Sequence, residues 1–517
     1  MKVGLAQIDT RIGDFAGNLQ RAAEAWAEAW TAGAELVVLP ELVLTGYPPR
    51  DLLCDDGFVA AALALSDAFV SATAAGPPVL FGTLARAERR NPGHPGLLDS
   101  AVLAAAGRVT ALVAKRLLPS YGIFHETRWF TPGEPSAPAT IARHKLGILI
   151  CEDLWDEGYP CSPGNELQAA GAELLLVISA SPFRPGVAAE RLRLARRFGL
   201  PFVYLNAVGA NDEIIFDGGS FVLDASGAEI ARLPRFEEAV HVVDLDAGRP
   251  LAPEHDDDIE RRFRALTLGV GDFAHKNGLT RAFLGLSGGV DSALVACIAR
   301  EALGPAAVHA LALPSRHNDP RSTGCARELA AALGIGFEVV PIDSLHGAAR
   351  EVLHPEGAVD ENVQARLRAL VLMAHVNRAG GLLLNTSNKT ELALGYGTLY
   401  GDMAGTLAVI GDLDKLEVYE LARWYNERRG VIPRFILERP PSAELKDGQV
   451  DPFDYASVVP IVEALLRGAA ASPETERYAE LIHAAEHKRW QAGIVLRVSD
   501  LAFGSGRMVP VTRTRPG

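Results

Sequence analysis

The segment FLGLSGGVDS, residues 283–292, restricts the fold of this chain more than any other stretch. An apolar run ends, two glycines follow, and a helical pattern starts at about Ser292, which predicts a strand, a tight loop and a helix N-terminus. Glycines allow the backbone to approach an anion closely, and the first N–H groups of a helix point towards it. The loop lacks the lysine of a Walker A motif, so it predicts another mode of phosphate binding.

The strands around this loop predict the fold class of the second half. After Ala282–Leu286, the apolar runs Val308–Leu313, Phe337–Ile342 and Leu382–Thr386 alternate with helical stretches. Alternation of this kind is typical of a doubly wound parallel sheet in an α/β domain. In the first half, three strands follow one another closely between residues 79 and 114, which predicts a mixed sheet in an α-β sandwich.

Length and composition set the number of domains and the class of protein. A single core rarely exceeds about 250–300 residues, so 517 residues predict two domains. Prolines and an acidic run mark a boundary near Arg249–His255, which gives predicted domains of residues 1–250 and 256–517. The net charge of −14 disfavours nucleic-acid and anionic-membrane partners, and the sequence lacks a long apolar run that would span a membrane.

The five cysteines, an odd number without a CxxC pair, disfavour a disulfide framework and a zinc cluster. They predict a reducing compartment, and since the first residues lack the pattern of a signal peptide, we expect a cytoplasmic protein.

Three polar residues end apolar strands in the first half. Cys151 lies in LICEDLW, Glu41 in VLPELVL and Lys115 in VAKRLLP. A buried cysteine is usually only a small apolar side chain, but strand ends meet at one edge of a sheet, so these three side chains could converge. A thiol needs a base or a nearby cation to become a good nucleophile. We therefore predict Cys151 as nucleophile, Glu41 as general base and Lys115 as the stabiliser of thiolate and oxyanion; the other cysteines are expected to be structural.

These motifs resemble those of known families. The Glu–Lys–Cys trio resembles the nitrilase, or carbon–nitrogen hydrolase, family over roughly the first 250 residues, and SGGVDS resembles the pyrophosphate loop of the N-type ATP pyrophosphatases. Together, the two halves resemble the family of glutamine-dependent NAD synthetases. Residues 361–368, 382–405 and 487–507 resemble further segments of that family.

The resemblance implies a fold, a reaction and partners. The fold would be an N-terminal α-β-β-α sandwich followed by a doubly wound parallel-sheet domain. The reaction would hydrolyse L-glutamine to glutamate and ammonia, adenylate deamido-NAD with ATP, and amidate it to NAD with release of AMP and pyrophosphate. Free ammonia would replace glutamine, Mg²⁺ would accompany ATP, and the chain would form a homo-oligomer.

Site residues follow from the same resemblance, position by position. Glutamine would be bound by Tyr121, Ser181 and Val187. Deamido-NAD would be bound by Asn362, Glu391 and Lys488, and the metal by Asp291 and Glu391. The residues implied for ATP are Gly285, Leu286, Ser287, Gly288, Gly289, Val290, Asp291, Ser292 and Thr386.

Two positions depart from the family pattern. Val187 stands where lysine or arginine is common, so Arg184 is a candidate for holding the glutamine carboxylate. Ser387 stands where glycine is common, which is acceptable only if that residue does not need a positive φ. Two alternatives stay open at this point: an amidotransferase that acts on a different carboxylate, and a nucleotide-binding module whose amidase half is inert.

Overall fold

The chain divides into two compact units, Met1–Asp256 and Asp257–Gly517. The computed structural model describes residues 1–88, 94–254 and 257–504. The predicted domain boundary residues His255 and Asp256 lie outside the described residues, as do residues 505–507 of the predicted closing segment.

The first unit contains four α-helices and fourteen strands among its described residues. The helices are α1 (Phe15–Thr31), α2 (Asp56–Ala72), α3 (Pro163–Ala169) and α4 (Val187–Arg196). Short 3₁₀ turns cover Arg50–Cys54, Glu126–Arg128 and Cys151–Leu154. The strands are β1 (Lys2–Gln7), β2 (Leu36–Val38), β3 (Val79–Arg86), β4 (Leu97–Ala105), β5 (Arg108–Ala114), β6 (Ala139–Ile141), β7 (His144–Ile150), β8 (Leu174–Ser179), β9 (Phe202–Asn206), β10 (Val208–Asn211), β11 (Ile214–Asp217), β12 (Phe221–Leu223), β13 (Glu229–Arg232) and β14 (Ala239–Asp244).

Two six-stranded sheets build this unit, in the orders β14-β1-β2-β3-β4-β5 and β13-β12-β9-β8-β7-β6, and β10 and β11 form a separate ribbon. Both sheets contain parallel pairs, such as β1–β2 and β7–β8, and antiparallel pairs, such as β3–β4 and β6–β7. The predicted mixed sheet is therefore confirmed.

The core of the first unit lies between the two sheets. Leu5 and Leu80 of one sheet and Ile148 and Leu176 of the other are buried in one apolar cluster. Helices α1 and α2 pack on the outer face of the first sheet, and α3 and α4 pack on the outer face of the second. The result is the predicted α-β-β-α sandwich, and it explains why several strands are apolar on both faces.

The second unit carries one parallel sheet. Its strands are β15 (Ala282–Gly285), β16 (Val308–Ala312), β17 (Gly336–Val339), β18 (Leu382–Asn385), β19 (Leu407–Ala408) and β20 (Ile494–Val495). Its helices are α5 (Asp258–Lys276), α6 (Val290–Leu303), α7 (Pro320–Leu333), α8 (Asp343–Leu353), α9 (Ala358–Ala379), α10 (Lys389–Leu394), α11 (Lys415–Arg429), α12 (Arg434–Glu438), α13 (Tyr455–Leu466), α14 (Glu476–Ala484) and α15 (Glu486–Arg489), with a 3₁₀ turn at Pro305–Ala307.

The strand order β17-β16-β15-β18-β19-β20 positions the site of the second unit. Every paired strand in this sheet is parallel. The order reverses at β15, whose neighbours are β16 and β18, and ligands bind in the crevice at such a switch point. The predicted strand 337–342 ends early, at Val339, because Pro341 cannot donate to a ladder and Ile342 begins the turn into α8.

None of the helices within the described residues combines the length and the apolar character needed to span a lipid bilayer.

Candidate active sites

Glu41, Lys115 and Cys151 follow the ends of β2, β5 and β7 in the first unit. All three are buried. Lys115 Nζ donates to Glu41 Oε1 at 2.7 Å. The backbone of Cys151 has φ +42°, a left-handed conformation that non-glycine residues rarely adopt and that turns the chain sharply at the end of β7. The sandwich therefore brings together the three residues that strand ends alone had suggested.

Lys115 is the centre of a buried cluster of charges. Its Nζ lies 2.8 Å from the Glu126 carboxylate and 3.6 Å from Asp99 Oδ2. Burial alone lowers the pKa of the Lys115 ammonium, but the charges of Glu126 and Glu41 outweigh this effect and hold the pKa well above its usual value. Lys115 is therefore a permanent cation, suited to stabilise negative charge but not to accept a proton.

The thiol of Cys151 is protonated at rest. Burial and the negative charge of Glu41 raise its pKa well above the usual value, and Lys115 offsets only part of that rise. Attack on a carbonyl thus requires a base. Glu41 is the candidate for this base, and its carboxylate is held by hydrogen bonds from Ala180 N to Oε2 at 2.7 Å and from Lys115 Nζ to Oε1.

The predicted glutamine-binding residues surround the same strand ends but differ in what they offer. The Tyr121 ring is exposed, and its hydroxyl donates to Glu152 Oε1 at 2.9 Å. Ser181 is buried, and its Oγ accepts from Arg191 at 3.0 Å. Arg184 pairs with Glu190 and lies over the Trp155 ring.

Val187 is the first residue of α4 and is buried. Its N–H donates to Arg184 O at 3.2 Å, and its isopropyl side chain has no donor. Val187 therefore cannot supply the hydrogen bonds of the lysine or arginine common in the family.

Three acidic residues near Cys151 were missed by sequence reasoning. Glu126 and Asp99 contact Lys115, and Glu152, next to Cys151 in the chain, accepts hydrogen bonds from Tyr121 and Tyr159. A carboxylate inside the apolar run of β4 was a usable signal for Asp99, because an acid is rarely buried without a role. Glu126 lies in a 3₁₀ turn without periodicity, so no pattern marks it.

The loop after β15 has the geometry expected for an anion site. Gly288 has φ +83°, and an added Cβ would lie 2.3 Å from Ser322 O, so only glycine fits. Ser287 Oγ and Ser292 Oγ lie 3.2 Å apart, and Ser292 Oγ donates to Gly289 O at 3.0 Å. The hydroxyls and the N-terminus of α6 thus face the end of the sheet where its order reverses.

A cavity of about 260 Å³ opens at this loop. Most of the residues predicted for ATP line it, together with Glu391 of α10. The predicted residues in its wall are Gly285, Leu286, Ser287, Gly289, Val290, Asp291, Ser292, Thr386 and Glu391. Gly288 contributes a backbone turn behind the wall rather than a lining atom.

Asp291 and Glu391, the predicted metal ligands, share one cation partner. Lys415 Nζ lies 2.5 Å from Asp291 Oδ2 and 3.6 Å from Glu391 Oε1. Asn388 joins the two acids, because its Nδ2 donates to Asp291 and its Oδ1 caps the N–H of Glu391. Burial, together with the charge of Asp291, raises the pKa of Glu391 to about 8 despite the opposing effect of Lys415.

Ser387, where glycine is common in the family, is absent from the residues with positive φ. Its N–H donates to Asn385 Oδ1 at 2.9 Å, and its hydroxyl reaches Asp402 O at 3.4 Å. The condition for a serine at this position is therefore met.

Asn362 and Lys488 are not among the residues that line the cavity, and both form hydrogen bonds to the loop 395–398. Thr398 Oγ1 donates to Asn362 Oδ1 at 2.6 Å. Lys488 Nζ donates to Gly395 O and Gly397 O, each at 2.8 Å. The loop between these contacts carries Tyr396, which lines the cavity.

Comparisons with known proteins match both units. A family model for carbon-nitrogen hydrolases matches residues 2–249, and one for NAD synthase matches residues 262–492. The chain is 39% identical to the glutamine-dependent NAD(+) synthetase of Synechocystis sp. and 37% identical to that of Rhodobacter capsulatus, in each case over 99% of this chain and 98% of the relative.

A solved structure of the glutamine-dependent NAD+ synthetase from Acinetobacter baumannii, in complex with adenosine diphosphate, is similar with a TM-score of 0.80 at 31% identity. The similarity covers 99% of this chain and 98% of that one. Both halves and their order along the chain are thus shared, and this chain belongs to the family of glutamine-dependent NAD(+) synthetases.

Proposed function

We propose that the first unit, here called the glutaminase unit, hydrolyses L-glutamine through Cys151, Glu41 and Lys115. The contact that carries this proposal is the 2.7 Å hydrogen bond from Lys115 Nζ to Glu41 Oε1 beside a protonated, buried thiol. Glu41 takes the thiol proton as Sγ attacks the carboxamide carbon, and Lys115 stabilises the oxyanion. Glu41 then gives the proton to the leaving nitrogen, ammonia departs, and water hydrolyses the thioester.

Recognition of glutamine is assigned to the residues around this centre. Tyr121 and Ser181 supply hydroxyl groups. Glu152 follows the nucleophile directly, and its carboxylate is aligned by the hydroxyls of Tyr121 and Tyr159. A carboxylate in this position suits the α-ammonium of an amino acid. Val187 contributes only apolar contact, so other groups hold the α-carboxylate.

The second unit, here called the synthetase unit, adenylates deamido-NAD with ATP and replaces AMP by ammonia. The loop after β15 supports this role because Ser287, Ser292 and the N-terminus of α6 face the cavity. The nicotinate carboxylate attacks the α-phosphorus and pyrophosphate leaves. Ammonia then attacks the activated carbonyl, and NAD and AMP are released. The Acinetobacter baumannii relative was solved in complex with adenosine diphosphate, which supports the binding of an adenine nucleotide by this chain as well.

Mg²⁺ fits the two acids of the cavity. Carboxylate oxygens are the ligands that Mg²⁺ prefers, and Asp291 and Glu391 both line the cavity that opens at the phosphate loop. The Lys415 ammonium contacts both acids, which supports the binding of a cation by this pair. A bound Mg²⁺ would offset the negative charge of the pyrophosphate.

Deamido-NAD is assigned to Asn362, Glu391 and Lys488. The loop 395–398 connects Asn362 and Lys488 to the cavity, so these two residues contact the dinucleotide directly or through that loop. A homo-oligomer and a cytoplasmic location stay predictions.

The test separates the two centres by their nitrogen source. Cys151→Ala should abolish NAD formation from glutamine and leave formation from added ammonium within about twofold of wild type. Cys54→Ala, which changes an exposed cysteine, is the matched control and should retain both activities. Loss of both activities in a folded Cys151→Ala protein would refute separate centres, and retention of both would refute Cys151 as nucleophile.

A further inference from the structure

Asp99 is a buried acid to which the glutaminase mechanism gives no task. It lies on β4, its side chain is fully buried, and no donor among the described residues reaches either carboxyl oxygen. Its main-chain oxygen accepts from Lys115 N at 2.8 Å. Native proteins rarely leave both oxygens of a buried carboxylate without a donor.

The surroundings of Asp99 hold more negative than positive charge. Glu41, Asp99 and Glu126 each place a carboxyl oxygen within 4.8 Å of the others. Among the residues that the structure describes, the cation paired with this group is the Lys115 ammonium. Burial raises the pKa of the neighbouring Cys151 thiol, so it adds a neutral group. One ammonium cannot balance three ionised carboxylates that are buried side by side, so at least one carboxyl must hold a proton.

Hydrogen bonding selects which carboxyl is protonated. Glu41 accepts from Lys115 and from Ala180 N, and Glu126 accepts from Lys115 and from the Tyr47 hydroxyl. Donors of this kind stabilise the ionised form. The distance from Lys115 Nζ to Asp99 Oδ2 is 3.6 Å, which is longer than a hydrogen bond. The ionised form of Asp99 is therefore the least stabilised of the three carboxylates.

We propose that Asp99 is held as the neutral carboxylic acid and donates its proton in a hydrogen bond to Glu41. It is then a positioning residue: it limits the charge of the cluster and fixes the carboxylate that accepts the thiol proton. Burial and the charge of Glu41 raise the pKa of the Asp99 carboxyl well above its usual value, in agreement with the geometry. The proposal rests on the role given to Glu41 above.

The protonation of Asp99 can be measured directly. A protonated carboxyl group has its own infrared stretching band, and the difference spectrum between wild type and Asp99→Asn at neutral pH isolates the contribution of Asp99. We expect a protonated-carboxyl band that disappears in the variant and shifts in deuterium oxide. A difference spectrum that shows loss of an ionised carboxylate instead would overturn the proposal, whatever the role of Glu41.

Kinetics test the positioning role. Asp99→Asn keeps the size and a donor but cannot ionise, so its glutaminase kcat should stay within about fivefold of wild type. Asp99→Leu removes the donor and should lower kcat by about 100-fold with little change in the KM for glutamine. NAD synthesis from ammonium should stay unchanged in both variants because it depends on the synthetase unit, and a thermal unfolding curve checks that the glutaminase unit is folded.

Two kinetic outcomes would contradict the role. A folded Asp99→Asn protein with kcat as low as that of Asp99→Leu would show that the charge is required. Equal, wild-type kcat in both variants would show that Asp99 only fills space. Failure of the Cys151→Ala experiment would remove the role of Glu41 but leave the infrared result unchanged.

Discussion

Replacing Lys115 by methionine tests the charge cluster of the glutaminase unit most directly. The change keeps the length of the side chain and removes the ammonium group that contacts Glu41, Glu126 and Asp99. Loss of one partner from a buried ion pair costs about 3–5 kcal/mol. For a unit of this size, that corresponds to a fall in the unfolding midpoint on the order of 10 °C.

The loss of stability in Lys115→Met should increase with pH. Lys115 lowers the pKa values of Asp99 and Glu126, and that of Glu126 is still about 7 because of burial. A carboxyl whose folded pKa is raised stabilises the fold at low pH, and this contribution is lost as the pH rises through the folded pKa. Without the ammonium these pKa values rise further, so Lys115→Met should be most destabilised at alkaline pH and approach wild type towards pH ~5.

Activity gives an independent measure. Loss of one oxyanion donor typically lowers kcat by about 10²–10³-fold, so glutamate release should fall by at least that factor. NAD formation from ammonium reports on the synthetase unit and should persist. Lys2→Met, which changes an exposed lysine on β1, is the control. A Lys115→Met protein with wild-type stability at alkaline pH and glutamate release within tenfold of wild type would refute the cluster as described.

Three further predictions concern single residues. Gly288→Ala should abolish AMP formation with either nitrogen source, because its Cβ would lie 2.3 Å from a backbone oxygen, whereas Gly278→Ala, also at positive φ but with open space around it, should retain activity. The Mg²⁺ concentration needed for half-maximal NAD synthesis from ammonium should fall as the pH rises through about 8, because the Glu391 proton then competes less with the metal; a requirement that is independent of pH would contradict this. Glu152→Gln should raise the KM for glutamine about 10–100-fold with little change in kcat, as expected for loss of a charged hydrogen bond; an unchanged KM would exclude contact with the α-ammonium.

Much of the architecture follows from sequence periodicity. The strands Leu174–Ser179 and Phe202–Asn206 can be recognised in the sequence because each is a short apolar run, as expected for strands buried on both faces. The strand pair β10–β11 and the two-residue strands β19 and β20 were not predicted. Segments this short have too few alternations to carry a period, and their pairing depends on neighbours distant in the chain.

In the candidate sites, too, the residues that were predicted are those marked by their neighbours in the sequence, and the residues that were missed depend on contacts between distant segments. Glu41, Lys115 and Cys151 were predicted because each follows the end of an apolar strand. The phosphate loop was predicted because its glycines allow the backbone to turn tightly and to approach an anion closely. Lys415 begins α11, where a lysine after the capping residue Asp414 looks like an ordinary helix start. Only the folded chain brings it to Asp291, which lies 124 positions earlier in the sequence. The acceptor deamido-NAD was inferred from resemblance, and family membership excludes the alternative with an inert amidase half.

At Cys151 the left-handed backbone makes the residue needed for catalysis different from the residue that is best for stability. This conformation costs a non-glycine residue about 1–2 kcal/mol, whereas glycine adopts it without steric cost. Cys151→Gly should therefore be inactive with glutamine and yet unfold at a higher temperature than Cys151→Ala. Engineering that scores variants by stability alone would favour the loss of the nucleophile, so the position has to be fixed before any search for a more heat-resistant enzyme begins.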